Sequence, residues 1–231
     1  MQNPKGGKGK KFLIVYAHPE PKSYTASAKE VIVKNLQAAG HEVKVNDLYA
    51  MKWNPVIGPN DFKERLDKEY LKIPIEHKNA VEKDALDPVV KEEVEKIKWC
   101  DYLIIVAPYW WGSVPAMVKG WIDRCLVCGV AWDFGKYWNT GPLKGKKAWF
   151  VTSVFGPDQM YTKEGAHGMT FDNRIHHLTW GTLAFCGFDV LPTFVAYNTS
   201  TGTDEDRKNN LNKLEALVKD IENIKPLYTF S

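Results

Sequence analysis

Along nearly the whole 231-residue chain, short apolar runs without helical period alternate with segments whose apolar residues fall at helical spacing. Lys11–Ala17 (KFLIVYA) reads as a buried strand. A helix follows to about Ala39, capped by Ser23 or Thr25 and ended by Gly40. His41–Asn46 reads as a second strand, Tyr102–Ala107 as a third, Lys147–Val154 as a fourth and Phe188–Val195 as a fifth. Between them Pro88–Trp99, Val114–Val127 and Thr170–Phe185 read as helices, and Asp61–Asn79 as helical turns plus loop. Asp204–Ile224, capped by Thr203, closes the series as a helix. Such alternation predicts an α/β fold with parallel strands, because each strand returns through a helix. Right-handed crossovers then give a doubly wound five-stranded parallel sheet with helices on both faces. No repeat or linker interrupts the pattern, so residues 11–231 read as one domain.

Charge and cysteine usage narrow the function classes. A formal net charge of +3 gives little steering toward nucleic acid or a membrane surface, and no apolar run is long enough to insert in a bilayer. Residues 1–10 carry Gly6, Gly7 and Gly9 among Lys5, Lys8 and Lys10, without the apolar core of a signal peptide. They read as a disordered basic leader, and the chain as cytoplasmic. Cys100 and Cys186 sit in apolar surroundings, as core residues do. Cys125 and Cys128 form one C-x-x-C at a helix end, where a redox motif wants a helix start and a zinc site wants a second pair. No metal site is expected, and free thiols suit a reducing compartment.

Ligands of doubly wound sheets bind beyond the carboxyl ends of the strands, where the winding reverses. Three loops converge there. The first, His18–Thr25, lacks both the G-x-G-x-x-G and the G-x-x-x-x-G-K-[ST] phosphate cradles. It instead sets the hydroxyls of Ser23 and Thr25 at a helix start, which suits an anion or an ordinary cap. His18 either bonds a phosphate or caps the strand end. The second, Pro108–Ser113, groups Tyr109, Trp110 and Trp111 before Gly112. These aromatics form a wall for a flat ligand, or pack against a neighbouring helix or subunit. The third, Ser153–His167, holds Gly156, Tyr161 and His167. A phenol and an imidazole there can steady negative charge on an oxygen and supply a proton.

Taken together, LIVYAHPEPKSYTAS, DLYAM, APYWWGSVPAMVKGWIDR, GPLKGKKA, MYTKEGAHG and GTLAFCGFDVL, in that order, resemble the NAD(P)H:quinone oxidoreductase family of the DT-diaphorase type. The resemblance spans Lys11 to about Leu227. It implies a flavodoxin-like fold, a cytosolic homodimer with its active site at the subunit interface, bound FAD, and two-electron reduction of quinones by a reduced nicotinamide in a ping-pong cycle. Carried over by position, His18, Ser23, Tyr24, Thr25 and Ser27 would line the flavin phosphate and ribityl region. Pro108, Tyr109, Trp110, Trp111 and Gly112 would follow the ring, Ser153, Val154, Phe155 and Gly156 its edge, and Arg207 the adenine end. Tyr161 and His167 match the pair that handles charge during hydride transfer, and Tyr161 would also touch the flavin. Trp111, Gly112, Trp132, Phe134, Met160, His167 and Phe185 would shape the substrate slot, with Trp132 and Phe134 contributed by the second subunit.

The chain departs from the family at several of these positions. Ser153-Val154-Phe155-Gly156 stands where Thr-Thr-Gly-Gly is common, and Gly112 where a Phe is common. One member's metal-binding histidines fall on Trp180 and Ala184, which cannot serve. His176 and His177 read as surface residues. A chain of this length resembles the members that favour dihydronicotinamide riboside, so the donor stays open between it, NADH and NADPH. Two other readings stay open: an FMN-dependent azo or nitro reductase of the same fold, and a flavin-bound accessory subunit with little turnover.

Overall fold

The structure, a computed structural model, describes residues 9–230. Strands β1 (Lys11–Tyr16), β2 (Glu42–Asp47), β3 (Tyr102–Pro108), β4 (Lys147–Ser153), β5 (Asp189–Val190) and β6 (Phe194–Ala196) form one parallel sheet. The order is β2-β1-β3-β4-β5, with β6 also paired to β4. The helices are α1 (Tyr24–Ala38), α2 (Ile73–Glu82), α3 (Pro88–Trp99), α4 (Ala116–Cys125), α5 (Phe171–Arg174), α6 (His176–Leu178) and α7 (Asp204–Lys219). This is the flavodoxin-like doubly wound arrangement.

Alternation along the central strands sorts side chains to two faces. Phe12, Ile14 and Tyr16 of β1 join Ile104 and Val106 of β3 under α1 and α7, which bring Ile32, Leu36, Leu214 and Val218. Leu13, Val15, Leu103 and Ile105 face the opposite layer, where α3 supplies Val90, Val94 and Ile97 and α4 supplies Val118 and Trp121. Every residue of β3 is buried, as a central parallel strand requires. The helix starts follow local chemistry. The Ser23 hydroxyl accepts from Ala26 N–H at 3.1 Å, Asp87 accepts from Val89 N–H at 3.0 Å, and Thr203 and Asp206 form a reciprocal capping box.

Three segments differ from the expected elements. Phe188–Val195 is two short strands, because Pro192 has no N–H for a ladder and its carbonyl accepts from Trp149 Nε1 at 2.9 Å. Both pieces pair with β4 on the same side, so the expected fifth strand is present in two parts. Thr170–Phe185 is not one helix: α5 and α6 meet at Ile175 and then widen into a π-helical stretch over Thr179–Ala184. The last helix stops at Lys219 and continues only as a 3₁₀ turn. Within the segment read as helical turns plus loop, α2 is a regular helix that starts at Ile73. Of the expected leader, residues 1–8 lie outside the described residues. Lys10 already joins the domain, its N–H donating to His41 Nδ1 at 3.1 Å and its carbonyl accepting from Glu42 N–H at 2.9 Å. No helix among the described residues is long and apolar enough to cross a membrane.

Candidate functional site

From β1 the chain winds outward to β2, and from β3 it winds the other way, so the loops after β1 and β3 part and leave a crevice between them. Two adjoining cavities occupy it. A cleft of about 430 Å³ is lined by His18, Ser23, Tyr24 and Thr25 from the first loop and α1. Pro108, Tyr109 and Trp110 line it from the second loop, and Ser153, Val154 and Phe155 from the third. A slot of about 490 Å³ is lined by Tyr109, Trp111, Gly112, Phe155, Gly156, Met160, Tyr161 and His167, together with Arg174. Tyr109 and Phe155 belong to both, so the two spaces meet at these rings.

The cleft is lined largely by hydroxyl-bearing side chains. At its floor the Thr25 and Ser153 hydroxyls lie 3.1 Å apart, tying α1 to β4. The Tyr24 hydroxyl is buried without a hydrogen-bond partner, which a bound polar group would satisfy, and burial pushes its phenol well up. His18 Nδ1 accepts from Glu20 N–H at 3.0 Å, so its proton sits on Nε2 when the ring is neutral. Burial lowers its pKa and favours that neutral form. The His18 ring meets Trp110 edge-on at 5.6 Å.

The turn between the two cavities is tight. Trp110 and Ser113 exchange both backbone hydrogen bonds, at 2.9 and 3.0 Å. The central residues Trp111 and Gly112 have φ of +51° and +83°, as a type I′ turn requires. A Cβ on Gly112 would meet nothing closer than Tyr109 Oη at 3.9 Å, so Gly112 serves the turn and leaves open space in the slot. The Trp111 side chain is fully exposed.

Across the slot, the Tyr161 and His167 rings lie 4.4 Å apart at 30°. His167 N–H donates to the Met160 carbonyl at 3.0 Å, which closes the loop carrying both. Tyr161 is buried among Tyr109, Phe171 and Tyr197, and burial pushes its phenol up, so near neutral pH it is a hydrogen-bond donor. A Cβ on Gly156 would collide with Met160 Sδ, so this glycine makes room for the Met160 side chain.

Other expected site residues sit elsewhere. Ser27 is exposed on α1, its hydroxyl donating to the Ser23 carbonyl at 3.4 Å. Arg207 lines neither cavity; it holds the Thr199 and Gly202 carbonyls and Asp204. Trp132, Phe134 and Phe185 are absent from this chain's slot and cluster together, Trp132 lying 5.7 Å from Phe134 and 6.0 Å from Phe185. Cys100, Cys125, Cys128 and Cys186 are free and buried, with thiols pushed up by burial. No group of metal-ligating side chains is assembled among the described residues.

Sequence reading missed Thr199, Ser200 and Arg174. Thr199 and Ser200 line the cleft. Thr199 N–H and Oγ1 both bond the Val154 carbonyl, and Thr201 Oγ1 bonds the Phe155 carbonyl. Three consecutive hydroxyl residues before a capped helix were the available signal. Arg174 was hidden inside a segment read as one helix.

Comparison with known proteins agrees with the fold. The sequence profile of one family, described as Flavodoxin-like fold, matches residues 10–218. The chain is 38% identical over 221 residues to ribosyldihydronicotinamide dehydrogenase [quinone] of Mus musculus, which covers 95% of both proteins. It is 33% identical over 224 residues to NAD(P)H dehydrogenase [quinone] 1 of Rattus norvegicus, covering 95% of this chain and 80% of that protein. The solved structure of a Klebsiella pneumoniae protein superposes with a TM-score of 0.90 at 30% identity, covering 95% of this chain and 87% of its own.

Proposed function

Since the chain belongs to the Flavodoxin-like fold family, we propose that it is a flavin-dependent oxidoreductase that reduces quinones with a reduced nicotinamide donor. The observation that carries this reading is the junction at Tyr109 and Phe155 of a hydroxyl-lined cleft with an aromatic slot closed by Tyr161 and His167. A flat ring with a phosphorylated tail spans two such spaces. The unpartnered Tyr24 hydroxyl and the α1 start fit the tail, and the open space beside Gly112 fits the ring. The family's cofactor is a flavin, and the one proposed for this chain is FAD.

A bound flavin supplies two-electron hydride chemistry, from the donor and on to the acceptor. The chain's residues bind, orient and handle charge. Ser23, Thr25 and the neutral His18, donating from Nε2, would hold the phosphate end. Tyr109, Trp111 and Phe155 supply aromatic surface that orients flat substrates and excludes water. The Tyr161 hydroxyl donates toward oxygen that gains negative charge, and the His167 ring beside it supplies a proton.

A homodimer belongs to the same proposal, and Trp132, Phe134 and Phe185 support it. They sit away from their own slot, and Phe134 is 52% exposed, ready to close a second subunit's slot. A cytoplasmic setting is supported by the free cysteines.

The test is an absorbance spectrum of the purified protein, chromatography of the released flavin, and steady-state turnover with 2-methyl-1,4-naphthoquinone. The expected result is bound FAD and turnover with NADH, NADPH or dihydronicotinamide riboside. A colourless protein that gains no flavin absorbance on adding FAD overturns the reading. Bound flavin with negligible turnover from every donor replaces it with an accessory role.

A further inference from the structure

Among the described residues lining the slot there is no Asp or Glu, and Arg174 contributes a permanent positive charge. The chain's other arginines are each matched with a carboxylate: Arg65 with Glu76, Arg124 with Asp61 and Arg207 with Asp204. Arg174 is not. Its Nε donates to Tyr109 Oη at 2.7 Å and its Nη1 to the His167 carbonyl at 3.5 Å, both neutral acceptors. Nη2 has no partner among the described residues. The guanidinium also lies 5.8 Å from the Tyr109 ring centre. Its charge acts on the Tyr161 phenol, opposing the upward push of burial. A half-buried guanidinium held in place by a hydroxyl and a carbonyl keeps its full charge and part of its donor fork free. That is the form of an anion receptor, set beside the phenol and imidazole of the slot.

We propose that Arg174 is an anion subsite of the slot, so that the preferred ring substrate carries a carboxylate, sulfonate or phosphate beside its ring. The proposal rests on the quinone-reductase reading of that slot. The anionic group can belong to the acceptor or to the reduced nicotinamide, and two pairs of substrates separate these sources. One pair is 1,4-naphthoquinone-2-sulfonate against 2-methyl-1,4-naphthoquinone at fixed donor. The other is dihydronicotinamide mononucleotide against dihydronicotinamide riboside at fixed neutral acceptor.

In the flavin-loaded wild type, one pair should favour the anionic member in kcat/KM. In Arg174→Leu that preference should fall by about ten-fold or more, carried by KM, as expected for losing a charge-assisted hydrogen bond. Arg174→Lys should retain part of it. Tyr109→Phe, which frees the guanidinium from its anchor, should give an intermediate loss. The pair that responds identifies the source. Both preferences staying within about two-fold of wild type in Arg174→Leu and in a second variant, Arg174→Gln, overturns the proposal. If the wild type turns over none of these substrates, the quinone-reductase reading fails. The subsite is then decided by calorimetric binding of 1,4-naphthoquinone-2-sulfonate: a Kd raised about ten-fold in both variants supports it, and an unchanged Kd overturns it.

Discussion

Trp111 holds a left-handed backbone that a tryptophan adopts at a cost of about 1–2 kcal/mol, while its side chain stands fully in solvent. Neither packing nor turn preference selects such a residue there, which points to work done by the exposed ring. Tyr161 and His167 are the opposite case, a tilted pair of rings in contact on a closed loop. Tyr161→Phe and His167→Gln should keep flavin and together slow hydride transfer by about 10²-fold, read by stopped-flow absorbance of the flavin. Unchanged single-turnover rates in both variants would remove them from the chemistry. This pair was legible in the sequence because its members lie six positions apart on one loop. Arg174 was not, because its anchor Tyr109 is 65 residues away and only the fold joins them.

Among the elements, those set by their own residues were the readable ones. β3 is a continuous apolar run, and α3 begins at an Asp-Pro cap with valines at helical spacing. The breaks were harder to read, since the π-helical stretch and the divided last strand depend on contacts such as Trp149 with Pro192. His77 is 3% exposed, its Nε2 lacks a partner, and it packs on Phe62 at 5.5 Å. Burial lowers its pKa to about 4, against some attraction from Asp61. Below its ordinary value of 6.5 the unfolded chain takes up a proton that the native state refuses until about pH 4, so stability falls through that window as pH drops. In His77→Leu, the loss of unfolding free energy between pH 7 and pH 5 should be smaller by about 2 kcal/mol, measured by urea titration at both values. A variant with the wild-type pH dependence would show that other groups govern the acid limb.

For the sheet as a whole, the doubly wound parallel class was legible, because parallel strands with helical returns leave few alternatives, while the sixth strand produced by the break at Pro192 was not. The composition of the slot was legible in part: the aromatics expected there divide into those this chain brings together and the cluster of Trp132, Phe134 and Phe185 that it keeps apart. Sedimentation velocity should therefore find a dimer at micromolar concentration, and Phe134→Glu should shift it toward monomer with a parallel fall in turnover. Full activity from a monomer would contradict a shared slot. The loop from β4 is fastened to the segment before α7 through its own carbonyls: Val154 and Phe155 accept from Thr199 and Thr201, and Gly156 from Asn198 N–H at 2.9 Å. None of these bonds uses the side chain at 154 or 155. The Val154 side chain is packed into the core, whereas that of Phe155 is 67% exposed, so the residue at 155 can be exchanged, and the slot it lines reshaped, while the loop stays where it is.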